Sequence, residues 1–381
     1  MFLITRSSLE KAWREVYRGK SKIKRRYSRG IDNVTIEAFK EQKDFFLERI
    51  HRQLEGDFFE FKRLKEYKIK RPGKKPRLIQ APTVTDRIVQ KVMNDFLMNT
   101  FLAAFKSCGV VGSIKGTTIK KIIKDSLAYY KQGYIYVLKT DIQDFFPSIN
   151  KKRLKKIFYR KVHDKKIRVL FDKYLKQSKR PGIPQGTPLS PFMANLYLIN
   201  LDQLLEKEPG IKHFRYIDDL IVFCDSESRA KKIYKMVRRL FEEIDLDIHP
   251  LGTEGKTQID LFDKGTVDIL GVIYKDQRLL IKPKKYKAFI NDVITPLQFK
   301  SSLNPKLNLH DALEELVEEL QYEVRGWASA YSFCDVKQNF IELNKKLLLQ
   351  FERLLDRVGI DEEQKPLYLK RLPNFNLSSK K

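Results

Sequence analysis

The 381-residue sequence is poor in cysteine, with three in all, and their spacing matches no zinc-binding pattern. Cys108, Cys224 and Cys334 lie far apart, so we predict reduced thiols packed in cores, as in a cytoplasmic protein. The sequence also lacks an apolar run near the roughly 20 residues that a membrane helix needs. Its N-terminus, MFLITRSSLEK, is too short and too charged for a signal peptide. We therefore expect no membrane-spanning or secreted protein.

Acidic residues are scarce relative to basic ones. Lys and Arg number 76 against 48 Asp and Glu, which gives a formal net charge of +28 at pH 7. An excess of this size indicates a polyanionic partner, with nucleic acid first and an anionic membrane surface second. The five histidines are scattered and show no metal-binding or nuclease pattern. The length allows two or three domains.

Two adjacent aspartates, Asp218 and Asp219, lie between two apolar runs in the stretch 211–225, IKHFRYIDDLIVFCD. The pattern predicts a strand, a tight turn and a second strand. A solvated acidic turn is the simplest interpretation of these residues alone, because Asp is common in turns. The other interpretation is a site for a divalent cation, because neighbouring carboxylates repel each other and hard oxygen ligands suit Mg²⁺.

A third aspartate favours the cation site. Tyr134 to Leu138 is a short β-prone apolar run that leads to Asp141. If this strand joins the hairpin, three carboxylates meet on one sheet, where they do not all ionise at close range without cations. Such a group suits two metal ions that hold a phosphate and its leaving group during an in-line displacement.

Three sequence boxes resemble those of a known family. YIDD with a strand on each side resembles the catalytic box of reverse transcriptases, DIQDFFPSI resembles their first aspartate box, and GIPQGTPLSPFMANLYL at 182–198 resembles the box between them. All three occur in the family order. The resemblance implies an α+β right-hand polymerase with fingers, a palm of antiparallel sheet backed by helices, and a helical thumb. We assign 1–60 to an N-terminal helical extension, 61–133 to the fingers, 134–275 to the palm and 276–381 to the thumb.

The resemblance implies RNA-directed DNA polymerase activity, with Mg²⁺ as cofactor and an RNA template, a DNA primer and dNTPs as partners. Asp141, Asp218 and Asp219, with the backbone carbonyl of Ile142, would hold two Mg²⁺ ions. One ion would lower the pKa of the primer 3′-hydroxyl, and the other would stabilise the triphosphate leaving group. Lys256 matches a family lysine that follows the catalytic hairpin and protonates pyrophosphate; an ordinary surface lysine is the alternative.

The incoming nucleotide is the implied partner of a further set of residues. They are Phe146 under the sugar, Gln185 and Gly186 in the middle box, Tyr216 in the YIDD box, and Lys70 and Arg77 in a basic hairpin. The hairpin is predicted at 61–82, with its turn at Pro72 and Gly73. The alternatives are core packing for Phe146, a Gly-Pro turn for Gln185 and Gly186, and a solvated charged face for the hairpin.

The remaining segments are predicted to be mostly helical. The stretch 36–54 has near-helical apolar spacing, and Gly30, Asp32 and Thr35 form a pattern found in the extensions of group II intron-type enzymes. The next helix, at 83–105, carries a DRxxQ element, Asp86 to Gln90. Stretch 151–180, with fourteen Lys or Arg and two Asp, is predicted to be a basic helix pair. Residues 275–303 are expected to be a basic connection, followed by thumb helices.

The subtype prediction depends on one box variant and on missing modules. The first aspartate box ends in FFPSI, which is frequent in retron and defence-associated enzymes, and no DNA-binding or endonuclease module follows the thumb. We therefore expect a stand-alone bacterial enzyme of the defence-associated (anti-phage) group that works with a cognate structured non-coding RNA and produces cDNA. A group II intron-type or retron-type enzyme, a polymerase-fold RNA-binding or maturation protein, and a template-independent DNA polymerase are the alternatives.

Overall fold

A computed structural model of the chain describes residues 4–71, 74–253 and 255–375, apart from the side chains of residues 70, 71, 74 and 75. The chain divides into two compact units. Unit 1 comprises 1–20, 24–117 and 129–260, and unit 2 comprises 21–23, 118–128 and 261–381. No helix in the described residues is both long and apolar enough to cross a membrane.

Unit 1 begins with helices that pack around one long, buried helix. The first five helices are α1 (Arg6–Arg18), α2 (Lys22–Tyr27), α3 (Ile36–Glu41), α4 (Lys43–Glu55) and α5 (Val84–Ser107). Helix α5 begins at an N-cap, Thr83, whose hydroxyl accepts the amide hydrogen of Asp86 at 3.0 Å. The stretch 36–54, predicted as one helix, is two helices, because Gln42 leaves helical geometry at φ −117° and ψ 30°.

The predicted basic hairpin is present between α4 and α5. Its strands are β1 (Lys65–Arg71) and β2 (Lys74–Ala81), paired antiparallel with Glu66 opposite Gln80. The register shifts between Ile69 and Arg71, so the strands are irregular near the tip. The predicted turn at Pro72 and Gly73 lies outside the described residues.

A four-stranded sheet forms the centre of unit 1. Its strands are β3 (Tyr136–Asp141), β4 (Ile211–Tyr216), β5 (Asp219–Cys224) and β6 (Gln258–Leu261), in the order β4-β5-β3-β6. Strands β3 and β5 are central and almost wholly buried, as unbroken apolar runs predict. The helices of this part are α7 (Phe145–Ser148), α8 (Lys151–Lys161), α9 (Lys165–Lys176), α10 (Ser190–Glu206) and α11 (Glu227–Glu242), after α6 (Ile119–Lys131), which spans the unit boundary.

Helix α10 is the central support of this sheet. Most of its residues are buried on all sides, among them Phe192, Leu196, Tyr197 and Leu201. Each fully buried large apolar side chain contributes about 1.5–3 kcal/mol relative to exposure. The predicted basic helix pair is α8 and α9, which bury Leu154, Phe158, Phe171 and Tyr174 and stack Phe158 on Phe171 at 3.9 Å between ring centroids.

Unit 2 contains a three-stranded sheet, β7 (Lys264–Ile269), β8 (Val272–Lys275) and β9 (Arg278–Ile281), and mostly helical structure after it. The helices are α12 (Pro283–Phe289), α13 (Leu309–Tyr331), α14 (Lys337–Val358) and α15 (Lys365–Leu369). A π-helical turn (Ile290–Ile294) and two 3₁₀ turns (Thr295–Gln298, Lys300–Ser302) follow α12.

The structure of residues 261–303 differs from the sequence-based prediction. The expectation of a plain basic connection at 275–303 is wrong, because β9, α12 and the π-helical turn occupy it. A strand of four residues and short irregular helices leave too little periodicity to detect in a basic sequence. The compact unit also changes after Asp260, whereas the predicted palm extends to residue 275; the assignment of fingers, palm and thumb stays a prediction.

Candidate active site

The hairpin and the preceding strand bring the three predicted aspartates together at one edge of the sheet. Strands β3 and β5 pair so that Asp141 lies directly opposite Asp219. Directly opposed residues in an antiparallel pair have Cβ atoms about 4.5–5.5 Å apart and face the same side. Tyr216 pairs with Asp219 across the other ladder, so the turn consists of Ile217 and Asp218 alone. Asp141 thus shares one edge of one sheet with Asp218 and Asp219, which follow it by 77 and 78 positions in the sequence.

Mutual repulsion and burial act on these carboxylates. Burial, followed by the charges of Asp219 and Asp141, raises the pKa of Asp218 to about 6. Two cationic or potentially cationic groups face Asp141 on its other side. The Lys256 ammonium donates a hydrogen bond to Asp141 Oδ2, and His249 Nε2 lies 3.7 Å from the same oxygen. The edge therefore concentrates negative charge that a cation stabilises.

The donor types at this edge, rather than their arrangement, suit hard divalent cations such as Mg²⁺. Three carboxylates and a nearby main-chain carbonyl are oxygen ligands, which these ions prefer. Burial, followed by the neighbouring charges of Asp219 and Asp141, raises the pKa of Asp218. Ile142, predicted to offer its carbonyl, follows Asp141 and pairs with Ile248 in an isolated bridge. Within the described residues, no group of three His, Cys, Asp or Glu side chains is arranged to hold a metal ion. Lys256 contacts Asp141 instead.

Phe146 lies on the short helix α7, five residues after Asp141. Its side chain is half-buried and packs against the core, so part of the ring remains accessible. Its carbonyl accepts the amide hydrogen of Ile183 at 2.9 Å. Gly182, at φ +71°, has no room for a side chain, because a Cβ there would lie 2.1 Å from the Phe146 carbonyl oxygen. This close approach joins the first aspartate box to the middle box.

The middle box is held by buried hydroxyl groups. Tyr174 bonds with Thr187 at 3.0 Å and with Ser190 at 2.9 Å, and Ser190 donates to the Pro184 carbonyl. Burial raises the pKa of the Tyr174 phenol to about 12, so it stays protonated. Gln185 is half-buried and Gly186 is exposed, at φ +108°. The hydroxyl cluster fixes the backbone on which these two residues are presented.

The basic hairpin is described less completely. Arg77 is exposed on β2, and the Lys70 backbone belongs to β1, whereas the Lys70 side chain lies outside the described residues. Tyr216 is 37% exposed next to the aspartates. The structure therefore brings Tyr216, Asp141, Asp218, Asp219 and Lys256 to one edge of the sheet.

A buried ion pair supports the hairpin of β4 and β5. The sequence patterns did not predict it. Arg215 and Asp202 are both fully buried, and Arg215 Nε and Nη2 donate to the two Asp202 oxygens at 2.8 and 2.6 Å. Arg215 Nη1 also donates to Asn195 Oδ1 at 3.0 Å and to the Ile217 carbonyl at 2.6 Å. The only sequence signal is an arginine between aromatic residues of a strand, and it does not identify the partner.

The contact with the turn carbonyl matters because Ile217 is in a strained conformation. Its φ is +59°, a region that a β-branched residue enters at a cost of about 1–3 kcal/mol. Gly112 lies against the same turn, where a Cβ would be 2.5 Å from the Ile217 nitrogen. Both amides at 111 and 112 donate to the Arg215 carbonyl. The glycine-rich loop and Arg215 together hold the turn that carries Asp218.

The DRxxQ element forms a buried polar network. Asp86 Oδ2 accepts the Lys62 amide and Gln177 Nε2, both at 3.2 Å, and Gln90 Nε2 donates to Gln177 Oε1 at 2.8 Å. Arg87 donates to the Ser28 hydroxyl at 2.6 Å and to the Pro82 carbonyl at 3.1 Å. These residues connect α5 to the segments before the hairpin and after α9, which is a structural role.

We expect the Asp86→Asn variant to flatten the pH dependence of stability. Burial raises the pKa of Asp86 to about 7, whereas the unfolded carboxyl titrates near 3.9. Between these values the folded state binds more protons than the unfolded state, so wild-type stability decreases as pH rises from about 4 to 7. Asparagine does not titrate, so we expect the variant's free energy of unfolding at pH 7.5 to exceed that of wild type by about 2–4 kcal/mol.

Urea midpoints at pH 4.5 and 7.5 measure this effect. Asp57→Asn is the matched control, because Asp57 is an exposed aspartate outside this buried network. Identical pH slopes in wild type and Asp86→Asn would contradict the assignment.

A family model described as "Reverse transcriptase (RNA-dependent DNA polymerase)" matches residues 69–274, more than half of the chain. The matched range contains all three aspartates, Lys256 and the middle box. The boxes and their order therefore agree with a family model and not only with the pattern of single motifs.

Curated relatives are similar over part of their length. The Group II intron-encoded protein LtrA of Lactococcus lactis is 28% identical over 190 residues, which cover 47% of this chain and 31% of that protein. The Retron Ec86 reverse transcriptase of Escherichia coli is 24% identical over 230 residues, which cover 60% of this chain and 63% of that protein. The chain thus spans less than two thirds of the length of each of these relatives, 31% and 63%.

A solved structure of apo telomerase from Candida tropicalis is also similar. It matches 88% of this chain and 65% of that chain, with 11% sequence identity and a TM-score of 0.48. Independently of that likeness, the helices and antiparallel sheets of the present chain confirm the predicted α+β class.

Proposed function

Because this chain belongs to the reverse transcriptase family, we propose that it is an RNA-directed DNA polymerase, a nucleotidyltransferase that extends a primer with dNTPs. The observation that supports this best is the register that sets Asp141 opposite Asp219, with Asp218 in the adjoining turn. Three carboxylates at one sheet edge suit nucleotidyl transfer to a primer hydroxyl. We further propose the fingers, palm and thumb boundaries given above.

The cation proposed for this edge is Mg²⁺, which Asp141, Asp218, Asp219 and the Ile142 carbonyl would hold. When bound, it supplies charge stabilisation to the triphosphate and acidifies the attacking hydroxyl. The chain's own residues then bind and orient the nucleotide. Lys256 would donate a proton toward the departing pyrophosphate, and its contact with Asp141 supports this role.

The proposed nucleotide contacts fall into two groups of residues. Gln185, Gly186 and Tyr216 contact the base and sugar, and Lys70 and Arg77 bind phosphate oxygens, since Lys and Arg pair with phosphates. The exposure of Tyr216 and Gly186 supports this proposal.

We expect the Phe146→Ala variant to incorporate ribonucleotides. The half-buried ring would collide with a 2′-hydroxyl, so its removal relaxes discrimination by roughly 10- to 200-fold, the range for steric selection in a pocket. Primer extension with dCTP and with CTP, as a ratio of kcat/KM values, measures the change. Phe145→Leu is a control for packing, because Phe145 is buried beside it. Unchanged sugar selectivity in Phe146→Ala would remove this role.

RNA is the proposed polyanionic partner, as template and as a cognate structured non-coding RNA. The net charge of +28 supports it, and so does the α8–α9 pair. Seven exposed lysine and arginine side chains of this pair and the residues just after it make no ion pair with the described part of the chain: Lys152, Lys156, Arg160, Lys161, Lys165, Lys176 and Lys179. Unneutralised lysine and arginine release counterions from phosphates, which favours nucleic-acid binding.

Primer extension tests the proposed activity. Purified protein, a primed RNA template, dNTPs and Mg²⁺ should give full-length DNA, and EDTA should abolish it. Omission of the template separates a template-independent polymerase, which would still extend the primer. RNA binding without any extension would instead favour an RNA-binding or maturation protein.

For the biological role we propose a cytoplasmic enzyme of anti-phage defence that makes cDNA from its own RNA. The FFPSI ending of the first aspartate box and three buried free cysteines support it. Sequencing of RNA and cDNA that co-purify with the protein tests the role. Recovery of an intron lariat would favour the group II intron type, and recovery of branched RNA-linked DNA would favour the retron type.

A further inference from the structure

The loop between α9 and α10, residues 177–189, is fastened to the basic hairpin. The Gln80 amide on β2 donates to the Gln185 carbonyl at 2.8 Å. The Gln80 side chain is buried, and its Nε2 donates to the Ser178 hydroxyl at 3.0 Å and to Glu66 Oε1 at 3.2 Å. Gln80 of the basic hairpin therefore contacts this loop at two points, Ser178 and Gln185.

A two-point ion pair closes the same connection. Arg180 Nε and Nη2 donate to the two Glu66 oxygens at 2.6 and 2.7 Å. This hydrogen bonding, ahead of the charge itself, lowers the pKa of Glu66. Glu66 is the cross-strand partner of Gln80, so both strands of the hairpin participate. Two parallel bonds fix the orientation of the loop as well as its distance.

The contact is also sterically close at the glycine of the middle box. A Cβ on Gly186 would lie 2.8 Å from Ile79 Cγ2 and 3.4 Å from the Gln80 carbonyl oxygen. The loop backbone and β2 are thus in contact beside the residue predicted to touch the incoming nucleotide. On the other side, the Lys151 ammonium donates to the Ser178 and Arg180 carbonyls at 2.7 and 2.9 Å.

We propose that Glu66, Gln80 and Arg180 are positioning residues for the incoming nucleotide. They hold the hairpin with Lys70 and Arg77 and the loop with Gln185 in a single register, so that phosphate-binding and base-contacting groups reach one nucleotide together. The inference rests on the proposed polymerase function. Since a misplacement of about 1 Å of a binding group costs up to 10²-fold, loss of this register weakens nucleotide use more than RNA binding.

Single-nucleotide extension at varied dNTP concentration tests the proposal. The variants are Glu66→Gln, Arg180→Lys and Gln80→Met, which keep side-chain length and remove the bidentate pair or the amide bonds. We expect dNTP KM to rise about 5- to 20-fold, with kcat within about twofold and RNA affinity unchanged. The reversed pair, Glu66→Arg with Arg180→Glu, should recover most of the KM. Glu242→Gln is the matched control, since it removes a comparably exposed ion pair with Arg238 on α11.

Amide hydrogen exchange gives a readout that does not depend on activity. Release of the loop should speed exchange of the Gln80 amide in Glu66→Gln, but not in Glu242→Gln. Suppose that wild-type protein incorporates dNTPs and that all three variants show the wild-type KM for dNTPs and the wild-type exchange rate of the Gln80 amide. The positioning role is then wrong, and the polymerase function stands. If wild-type protein incorporates none, the proposed function fails, and this inference fails with it.

Discussion

The Asp141→Asn variant is expected to lose DNA synthesis by at least about 10³-fold, the order seen when one central electrostatic group is removed from an active site. Asparagine is nearly isosteric, and the pairing of β3 with β5 uses main-chain atoms, so the sheet remains. The change removes one negative charge from the edge that Asp218 and Asp219 share. It also removes the ionic partner of Lys256. The fold and RNA affinity should therefore be those of wild type.

Two measurements separate this loss from unfolding. Primer extension gives the rate, and filter binding with the same RNA gives the affinity. Asp144→Asn is the matched control, because Asp144 is an exposed carboxylate three residues away with φ +40°, a conformation that asparagine tolerates. Synthesis by Asp141→Asn within tenfold of wild type would exclude Asp141 from the reaction.

Local patterns were enough to predict the strands that carry the aspartates. An unbroken apolar run before Asp141 and another after Asp219 specify buried strands, and a two-residue gap between strands specifies a tight turn. The register of Asp141 opposite Asp219 keeps both carboxylates on one face, because a slip of one strand by one residue would put them on opposite faces of the sheet. The roles of these residues came from the family resemblance and not from the pattern.

Contacts between distant segments were not predictable in the same way. The partner of Arg215 lies on α10, and the glycine that receives Ile217 lies in a loop 105 residues earlier, so neither has a local signal. The break at Gln42 was missed because no glycine or proline marks it. The connection between Gln80 and Gln185 joins main-chain atoms of two segments, and its donor and acceptor exist at every residue.

The Arg215→Met variant is expected to destabilise unit 1 by about 3–5 kcal/mol, the cost of leaving one member of a buried ion pair without its partner. Asp202 would remain fully buried without the two bonds that Arg215 donates. The Ile217 carbonyl would also lose its donor, so the strained turn that carries Asp218 loses a support. Urea unfolding measures the loss from the Trp13 signal in a Trp327→Phe background, because Trp13 is the tryptophan of unit 1.

The double variant Arg215→Met with Asp202→Leu distinguishes the two roles of the arginine. Replacement of a buried ion pair by apolar residues of similar volume is often neutral or stabilising by about 1–4 kcal/mol, so stability should recover to near the wild-type value. DNA synthesis should not recover, because no group in the double variant donates to the Ile217 carbonyl and the turn loses its fixed geometry. Recovery of both stability and synthesis would mean that the ion pair serves the core alone. Recovery of neither would mean that Asn195, the other partner of Arg215, cannot be satisfied without it.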